Sequence, residues 1–375
     1  MEWTKVNYLI RSIGILFVTL SANYCLAQSD IDRGYSQRLK ANFGYSESKI
    51  QHFSVNKNAY DFMALGYYVN ANNIMYLKTQ NKEYLNKNME VIEAVLLADN
   101  DYRQDKWRVK VAKSNRNASV NGQQSLLFEG YFFRYVVEFL HISEEKSLLP
   151  SNRRNSILKE AKYSFDKWYY RSVRSYKDAS RLYHVRLHVG ANWAAVALYL
   201  HRFTKEKKYK DFYESFDKQL KQALEIKVIN GNECYVWFST YPERFTESLR
   251  RTEKEKKIVQ DVSHGNHVVN YMIAAYKLDT GAWEKRDLAR LSNTIKFLLW
   301  KPNLSNFMDN VDGTDSKNSS IRNTGWKQSD GWMKLISYDS TLRPIYEKFY
   351  QENQRKVDNS SLALQFYANL KKHQQ

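Results

Sequence analysis

The 375-residue sequence has few of the residues that shape small or loop-rich proteins: two cysteines, four prolines and 13 glycines. Two cysteines exclude a disulfide-stapled scaffold, so the stability of the fold must come from a buried core. So little proline and glycine excludes a chain of many tight turns and favours long, uninterrupted helices. A Gly-rich phosphate loop, a Gly-x-Ser-x-Gly elbow and a His-Glu-x-x-His pair are also absent, which removes three common enzyme classes from consideration.

Residues 1–27 have the pattern of a secretory signal peptide. A basic start precedes an apolar run over residues 13–20, and Cys25-Leu-Ala27 supplies small residues before a cleavage site. The run is too short to be a permanent membrane anchor. Tyr24 is too bulky for the position before a lipoprotein cysteine. We therefore expect a soluble protein that is exported to the periplasm or secreted.

Removal of this segment leaves residues 28–375, which we predict to form a single domain because no linker or composition break divides them. Cleavage removes two basic residues and one acidic residue, so the net formal charge falls only from +18 to about +17. Such a charge favours polyanionic partners, although lysines on solvated helix faces are an alternative explanation. The 15% of aromatic residues favours sugar stacking, and no RNP-like, zinc-knuckle or helix-turn-helix signal indicates a nucleic acid.

The apolar residues follow a helical period in paired segments, and the first segment of each pair is the more apolar. First segments start near 58, 123, 188 and 258, a repeat of roughly 65 to 70 residues. We predict an all-α fold, an (α/α) toroid that forms an incomplete barrel of five to seven helical hairpins with long loops at one mouth. An α-solenoid, with shorter and more regular repeats, is the alternative. The predicted helices cover 58–77, 82–98, 123–141, 153–171, 188–203, 207–226, 258–278, 283–299, 344–354 and 360–370.

The segment 260–269, Gln-Asp-Val-Ser-His-Gly-Asn-His-Val-Val, is the sharpest candidate for chemistry. It places His264, Asn266 and His267 where a polar loop enters an apolar helix, with Ser263 as the expected N-cap. The functional interpretation is a general base or a carboxylate-binding group. The alternative is a pair of structural histidines at a capped helix start. A metal site is a further alternative, but these histidines provide two ligands at i and i+3 with no third in sequence, so no metal or cofactor is predicted.

The preceding repeat has a similar entry, His184-Val-Arg-Leu-His188-Val-Gly-Ala-Asn192-Trp193. An asparagine inside an apolar helix needs a partner for its amide. A neighbouring helix backbone or a bound substrate would supply that partner.

Between these two entries, an extended run over 235–241 is followed by Pro-Glu-Arg and brings Tyr241 and Arg244 to the predicted mouth. A packed loop is the alternative. The acidic stretch Asp309–Asp315 resembles a calcium loop but lacks the closing glutamate. Trp332, in an Asp-Gly-Trp sequence, would stack on a sugar or plug the ring.

These motifs resemble the polysaccharide lyases built on α/α toroids, particularly the alginate and glucuronan lyase type. The similarity covers most of residues 28–375. Members of this group cut uronic-acid polymers by β-elimination. An Asn, His or Arg neutralises the C5 carboxylate, a His or Tyr removes the C5 proton, and a Tyr protonates the leaving O4. The resemblance lies in the signal, the hairpin repeat, the Asn192-Trp-Ala-Ala helix, the Asp261-Val-Ser-His-Gly-Asn-His entry, Phe307–Asp312 and Asp330-Gly-Trp-Met-Lys-Leu335.

The resemblance implies that Asn192 neutralises the carboxylate, that His188 or His264 is the base, and that Tyr241 is the acid. His188 and Asn192 are four residues apart, whereas alginate-specific members often place Asn and His side by side. At i and i+4 they still share one helix face. The implied substrate-binding residues are Arg244, as a carboxylate clamp, and His267, Asn266, Trp193 and Trp332.

The predicted protein is therefore a monomeric lyase acting on an acidic polysaccharide, with no nucleic-acid or membrane partner. A glycoside hydrolase on the same toroid is one alternative. It requires two carboxylates about 5 to 10 Å apart across the mouth, and Glu129, Asp261 and Glu243 are available. A non-catalytic polysaccharide-binding toroid is the other alternative, because it would keep the aromatic residues without needing the His, Tyr and Asn set.

Overall fold

The computed structural model describes residues 33–39, 47–97, 107–115, 117–177, 179, 182, 186–240 and 258–372. Most of these residues are helical, which confirms the all-α prediction. None of the helices in these ranges is long and apolar enough to cross a bilayer. The predicted signal peptide over residues 1–27 lies outside the described residues.

Within the described ranges, the two helices of each predicted pair are joined by a short connection. All ten helices predicted from the apolar period are present, as α3 to α12. They are α1 (33–39), α2 (Glu47–Val55), α3 (Phe62–Thr79), α4 (Glu83–Leu97), α5 (Leu126–Glu145), α6 (Ser151–Tyr176), α7 (Leu187–Thr204), α8 (Lys207–Ala223), α9 (Val262–Lys277), α10 (Lys285–Asn293), α11 (Leu342–Asp358) and α12 (Ala363–Leu370).

Shorter elements connect them. Short 3-10 helices, a π-helix that continues α10, and two β-hairpins lie between or beside the long helices. They are the 3-10 helices Ala59–Asp61, Ala118–Val120 and Trp332–Ser337, the π-helix Thr294–Leu299, and the strands β1 (Leu224–Ile229), β2 (Asn232–Trp237), β3 (Trp300–Lys301) and β4 (Asn306–Phe307).

The more apolar helices pack side by side in chain order. Helix α3 packs against α5, α5 against α7, and α7 against α9. Helix α9 contacts the 3-10 helix Trp332–Ser337, which contacts α12, and α12 packs back against α3. The amphipathic helices α4, α6, α8 and α10 pack against α3, α5, α7 and α9 respectively. Helix α7 is buried over most of its surface, whereas α8 buries mainly one stripe that includes Phe212, Phe216 and Leu220.

The last predicted pair has the opposite order to the others. Its second helix, α12, packs against α3 and buries most of its residues. Its first helix, α11, buries only Leu342, Tyr346, Phe349 and Val357. The prediction that the first helix of each pair is the more apolar is therefore wrong for this pair. Charged residues on most of α11 keep that helix at the surface.

The helix predicted over 207–226 ends at Ala223, where β1 begins. Strand β1 pairs antiparallel with β2. The two residues between the strands are Asn230 and Gly231, with φ of 49° and 77°. This left-handed conformation at both central positions is what a tight hairpin turn requires, and Asn-Gly adopts it readily. The hairpin brings Trp237, inside the extended run predicted from the sequence, next to the start of α9.

Candidate functional site

A cleft of about 340 Å³ opens where α3, α5, α9 and α12 begin. Met63, Phe128, His264 and Leu362 line it from the first turns of these helices or the residue just before. Backbone N–H groups of a first turn lack intrahelical acceptors, and the helix start carries a partial positive charge. Four helix starts around one cleft therefore favour a negatively charged ligand.

Asp261 and His264 form a pair at the start of α9. The Asp261 carboxylate accepts the backbone N–H of His264 at 3.0 Å, so Asp261 is the N-cap, and the expectation that Ser263 caps this helix is wrong. The two carboxylate oxygens lie 2.9 and 2.8 Å from Nδ1 of His264. Burial would raise the pKa of Asp261, but the hydrogen bonds and charge of His264 outweigh it and hold that pKa below its usual value.

This pairing determines what the His264 ring can do. A carboxylate only accepts hydrogen bonds, so the neutral imidazole carries its proton on Nδ1 and Nε2 is left as the basic atom. The His264 side chain is 40% exposed and lines the cleft. The arrangement suits a general base whose tautomer is held by a carboxylate.

The structure brings together the histidines of the two predicted helix entries. The ring of His188, at the start of α7, lies 4.4 Å from the ring of His264 and 5.8 Å from that of His267, measured between centroids. His188 and His267 are buried, in contrast to His264. Within the described ranges, no three His, Cys, Asp or Glu side chains are arranged to hold a metal ion.

A buried arginine that the sequence analysis did not single out lies beside these rings. Arg134 of α5 donates from Nη1 to Asn192 Oδ1 at 2.9 Å and from Nη2 to Asp330 Oδ2 at 2.5 Å. Burial opposes its charge, but Asp330 and two tyrosines outweigh burial and raise the pKa of Arg134. The signal in the sequence is an arginine within the otherwise apolar and aromatic run 130–137.

Arg134 also fixes the tautomer of His267. Its Nη1 lies 2.5 Å from His267 Nδ1, and a guanidinium has no acceptor, so Nδ1 must accept. Asp330 Oδ2 is farther from the same nitrogen, at 3.3 Å. The His267 proton is therefore on Nε2. Burial and then the positive charge of Arg134 lower the pKa of His267 well below its usual value, which keeps the ring neutral.

The Nε2–H group of His267 points to a phenol in the cleft. It lies 2.8 Å from the hydroxyl oxygen of Tyr131, whose ring lines the cleft. Tyr67 makes a second side-chain hydrogen bond to Tyr131. Burial raises the pKa of Tyr131, so its hydroxyl keeps its proton. The sequence analysis did not single out Tyr131, because its partners come from other helices.

Asn192 was predicted to need a hydrogen-bond partner for its side-chain amide, and only the amide oxygen has one among the described residues. Oδ1 accepts from Arg134, while the buried Nδ2 has no hydrogen-bond partner among the described residues. An unpaired buried donor costs about 1–3 kcal/mol. The amide nitrogen is thus a buried donor without an acceptor among the described residues.

Asn266 has a different place from the one predicted. Its Oδ1 accepts the backbone N–H groups of Gly331 at 2.8 Å and Trp332 at 3.3 Å. Its Nδ2 donates to the carbonyl oxygens of Ser263 at 2.9 Å and Lys327 at 2.5 Å. Because the amide is fully engaged, Asn266 holds the loop before the 3-10 helix Trp332–Ser337 against α9 and offers no group to a substrate.

The two tryptophans predicted to contact substrate are packed in the interior. Trp193 is fully buried and donates from Nε1 to Leu126 O at 3.1 Å. Trp332 is fully buried, stacks on Trp237 with 5.8 Å between ring centroids, and donates to Val262 O. Neither ring lines the cleft, which corrects their assignment as substrate-binding residues.

Three other candidates, His184, Tyr241 and Arg244, fall outside the described residues. The roles that the sequence analysis gave to Tyr241 and Arg244 therefore remain predictions.

The acidic stretch that begins at Asp309 does not have the geometry of a calcium loop. The Asp309 carboxylate accepts four backbone N–H groups, from Ser316, Asn323, Thr324 and Gly325, at 2.9 to 3.2 Å. Four donors use the lone pairs that a cation would need. Asp309 thereby holds the segment whose Thr324 faces the cleft.

Asp309→Asn is expected to lower the free energy of unfolding by about 2–4 kcal/mol, because the new amide nitrogen faces two backbone N–H donors. Urea denaturation measures the change. Asp312→Asn is the matched control, since the single Asp312 oxygen that accepts from Thr314 is retained in asparagine. Equal losses in both variants would contradict the role of the four-donor arrangement.

Comparison of the chain with models of protein families, with curated proteins and with solved structures finds no match.

Proposed function

We propose that the protein is an exported polysaccharide lyase that cleaves a uronic-acid polymer such as alginate or glucuronan by β-elimination. One observation carries the proposal. A cleft ringed by four helix starts is lined by the Asp261–His264 pair and by Tyr131, whose hydroxyl contacts the buried His267; these groups suit a base and an acid. Helix starts attract the carboxylates of a polyuronate, and these groups act on its ring.

The first step needs a neutralised carboxylate and a base. The C5 proton of a uronate is barely acidic until donors already in place stabilise the charge that develops on the carboxylate. The resemblance assigns this role to Asn192, whose Nδ2 lacks an acceptor among the described residues although it does not line the cleft. His264 Nε2 removes the proton, and Asp261 stabilises the imidazolium that forms. His264 is preferred to His188 as the base because it lines the cleft with a partly exposed side chain, whereas His188 is buried and does not line it.

The second step breaks the bond between C4 and O4. The electron pair of the C5–H bond forms the C4=C5 double bond, and the C4–O4 pair leaves with O4. Tyr131 gives its proton to O4, and the Nε2–H group of His267 stabilises the phenolate that remains. The neutral tautomer set by Arg134 supplies this donor. Tyr241 remains the alternative acid from the sequence.

The number of carboxylates that line the cleft favours elimination over hydrolysis. A glycosidase needs two of them across the scissile bond. Among the described residues that line the cleft, Asp261 is the single acid, and both its oxygens contact His264. Glu129 is fully buried and accepts from Ser164 and Lys167 at 2.7 Å each. Glu243 lies outside the described residues.

We also propose that the helices form an α/α toroid. The cyclic packing order supports this, since α3, α5, α7, α9, the 3-10 helix Trp332–Ser337 and α12 each contact the next, and α12 contacts α3. The amphipathic helices beside them would form the outer layer. A solenoid has no such contact between its first and last repeats.

The proposal predicts an unsaturated product. Incubation with a panel of acidic polysaccharides, including alginate and glucuronan, is expected to raise the ultraviolet absorbance of the 4,5-unsaturated uronate at new chain ends. New reducing ends without this absorbance would identify a hydrolase. Tight binding with neither signal would identify a binding protein.

Tyr131→Phe removes only the hydroxyl and is expected to lower kcat by roughly 10²- to 10⁴-fold with little change in affinity for the polymer. Steady-state kinetics and equilibrium binding measure the two effects. Tyr60→Phe is the matched control, because Tyr60 lines the same cleft. Its hydroxyl accepts a long, weak hydrogen bond from Asn115 Nδ2 at 3.5 Å, so little is lost when the hydroxyl is removed. Full activity in Tyr131→Phe would move the acid to Tyr241.

A further inference from the structure

The hydroxyl of Tyr131, the acid assigned above, makes hydrogen bonds to two side chains. His267 Nε2 lies 2.8 Å from the hydroxyl oxygen. Because Arg134 fixes the ring proton on that nitrogen, His267 is the donor. Tyr67 of α3 makes the other side-chain hydrogen bond to Tyr131. A phenol has one hydrogen, so Tyr131 can give it to a substrate only if Tyr67 donates to Tyr131 and not the reverse.

Tyr67 is placed to be the donor. The rings of Tyr67 and Tyr131 meet edge to face, with 6.1 Å between their centroids, and both residues line the cleft. Burial is the main influence on the pKa of Tyr131 and raises it, whereas the hydrogen bond with Tyr67 acts to lower it, as a donor to the phenolate does. With Tyr67 and His267 both donating, neither uses the hydrogen of Tyr131, which is then available to the cleft.

A close approach of two helices holds Tyr67 beside Tyr131. Gly66, the residue before Tyr67 in α3, lies against the backbone of Tyr131 in α5, where an added Cβ would be 2.6 Å from the Tyr131 carbonyl oxygen. A side chain does not fit in that space, so the glycine allows the two backbones to pack almost in contact. The positions of Tyr67 and Tyr131 are therefore set by the packing of α3 on α5 and not by a loop.

We propose that Tyr67 is a positioning residue for the acid, because its hydroxyl directs the Tyr131 hydrogen toward the cleft and stabilises the phenolate that remains after proton transfer. The identity of the proton acceptor, O4 of a uronate polymer, rests on the proposed function. In the step itself the O–H bond of Tyr131 breaks, O4 gains the proton, and no bond to Tyr67 forms or breaks. The charge left on Tyr131 faces two donors already in place, Tyr67 and His267.

The first test needs no substrate. Tyr131 is replaced by a difluorotyrosine, whose phenol titrates at lower pH and whose fluorine NMR signal reports this side chain alone. Tyr67→Phe is expected to raise the pKa measured at position 131 by roughly 0.5 to 2 pH units, because the phenolate loses a donor. Tyr60→Phe is the matched control and should leave that pKa unchanged, since Tyr60 lines the same cleft but bonds to Asn115. The same pKa in both variants overturns the proposal.

The second test uses a polyuronate that yields the unsaturated product. Tyr67→Phe is expected to lower kcat roughly 3- to 30-fold with unchanged affinity for the polymer. Combined with Tyr131→Phe it should cause no further loss, because Tyr67 acts through Tyr131. Losses that multiply in the double variant would place Tyr67 on the substrate itself and overturn the positioning role. If no polymer yields the product, the proposed function fails, while the NMR titration still decides whether Tyr67 donates to Tyr131.

Discussion

His264→Ala is expected to lower kcat on a polyuronate substrate of the proposed lyase by roughly 10²- to 10⁴-fold, because the variant lacks the Nε2 that we propose removes the C5 proton. Asp261→Asn is expected to lower kcat as well, since an amide no longer stabilises the imidazolium. Asparagine still provides an oxygen to cap α9. Kinetics by absorbance of the unsaturated product, together with thermal denaturation, separate lost chemistry from lost stability.

His188→Ala is the comparison for this experiment, since its ring lies 4.4 Å from that of His264. Retained activity in His264→Ala together with near-complete loss in His188→Ala would assign the base to His188. A similar loss in both variants, with unchanged melting temperatures, would mean that both imidazoles act on the substrate.

Arg134→Met is expected to reduce the free energy of unfolding by about 3–5 kcal/mol, because it leaves the Asp330 carboxylate buried without its cation. Tyr135 still donates to this carboxylate, but Asn192 Oδ1 and His267 Nδ1 lose their donor. Urea denaturation at neutral pH measures the loss.

Two variants test the origin of that loss. Adding Asp330→Asn to Arg134→Met removes the uncompensated charge and should recover part of the stability. Arg154→Met removes a pair with Glu144 in which both side chains are partly exposed, so its cost should stay below about 1 kcal/mol. Equal costs for Arg134→Met and Arg154→Met would contradict the buried ion pair.

The helices were predictable because the buried face of each helix appears in its own sequence as apolar residues at helical spacing. The same local signal placed His188 and His264 at two helix entries, and those rings do lie together. The β1–β2 hairpin was missed although Asn230-Gly231 is a strong turn signal. The apolar period ran past the end of α8 into β1 and favoured a longer helix.

The centre of the site was not predictable from local pattern. Arg134 bonds to Asn192, His267 and Asp330, which are 58, 133 and 196 positions away along the chain. Nothing in the residues around Arg134 specifies those partners. The tryptophans were misassigned for a related reason, since an indole serves equally well as a sugar platform or as a core side chain, and only tertiary packing decides.

The contact between α12 and α3 ties the last hairpin to the first. Lys78, at the end of α3, donates to the carbonyl oxygens of Asn369 and Lys371 at 2.7 Å each. The apolar face of α3 is therefore complete only after α12 has been synthesised, which at about 5–20 residues per second takes about 15–60 s more. A solenoid can fold repeat by repeat as it emerges. In this chain the covering of α3 must instead wait for the final helix.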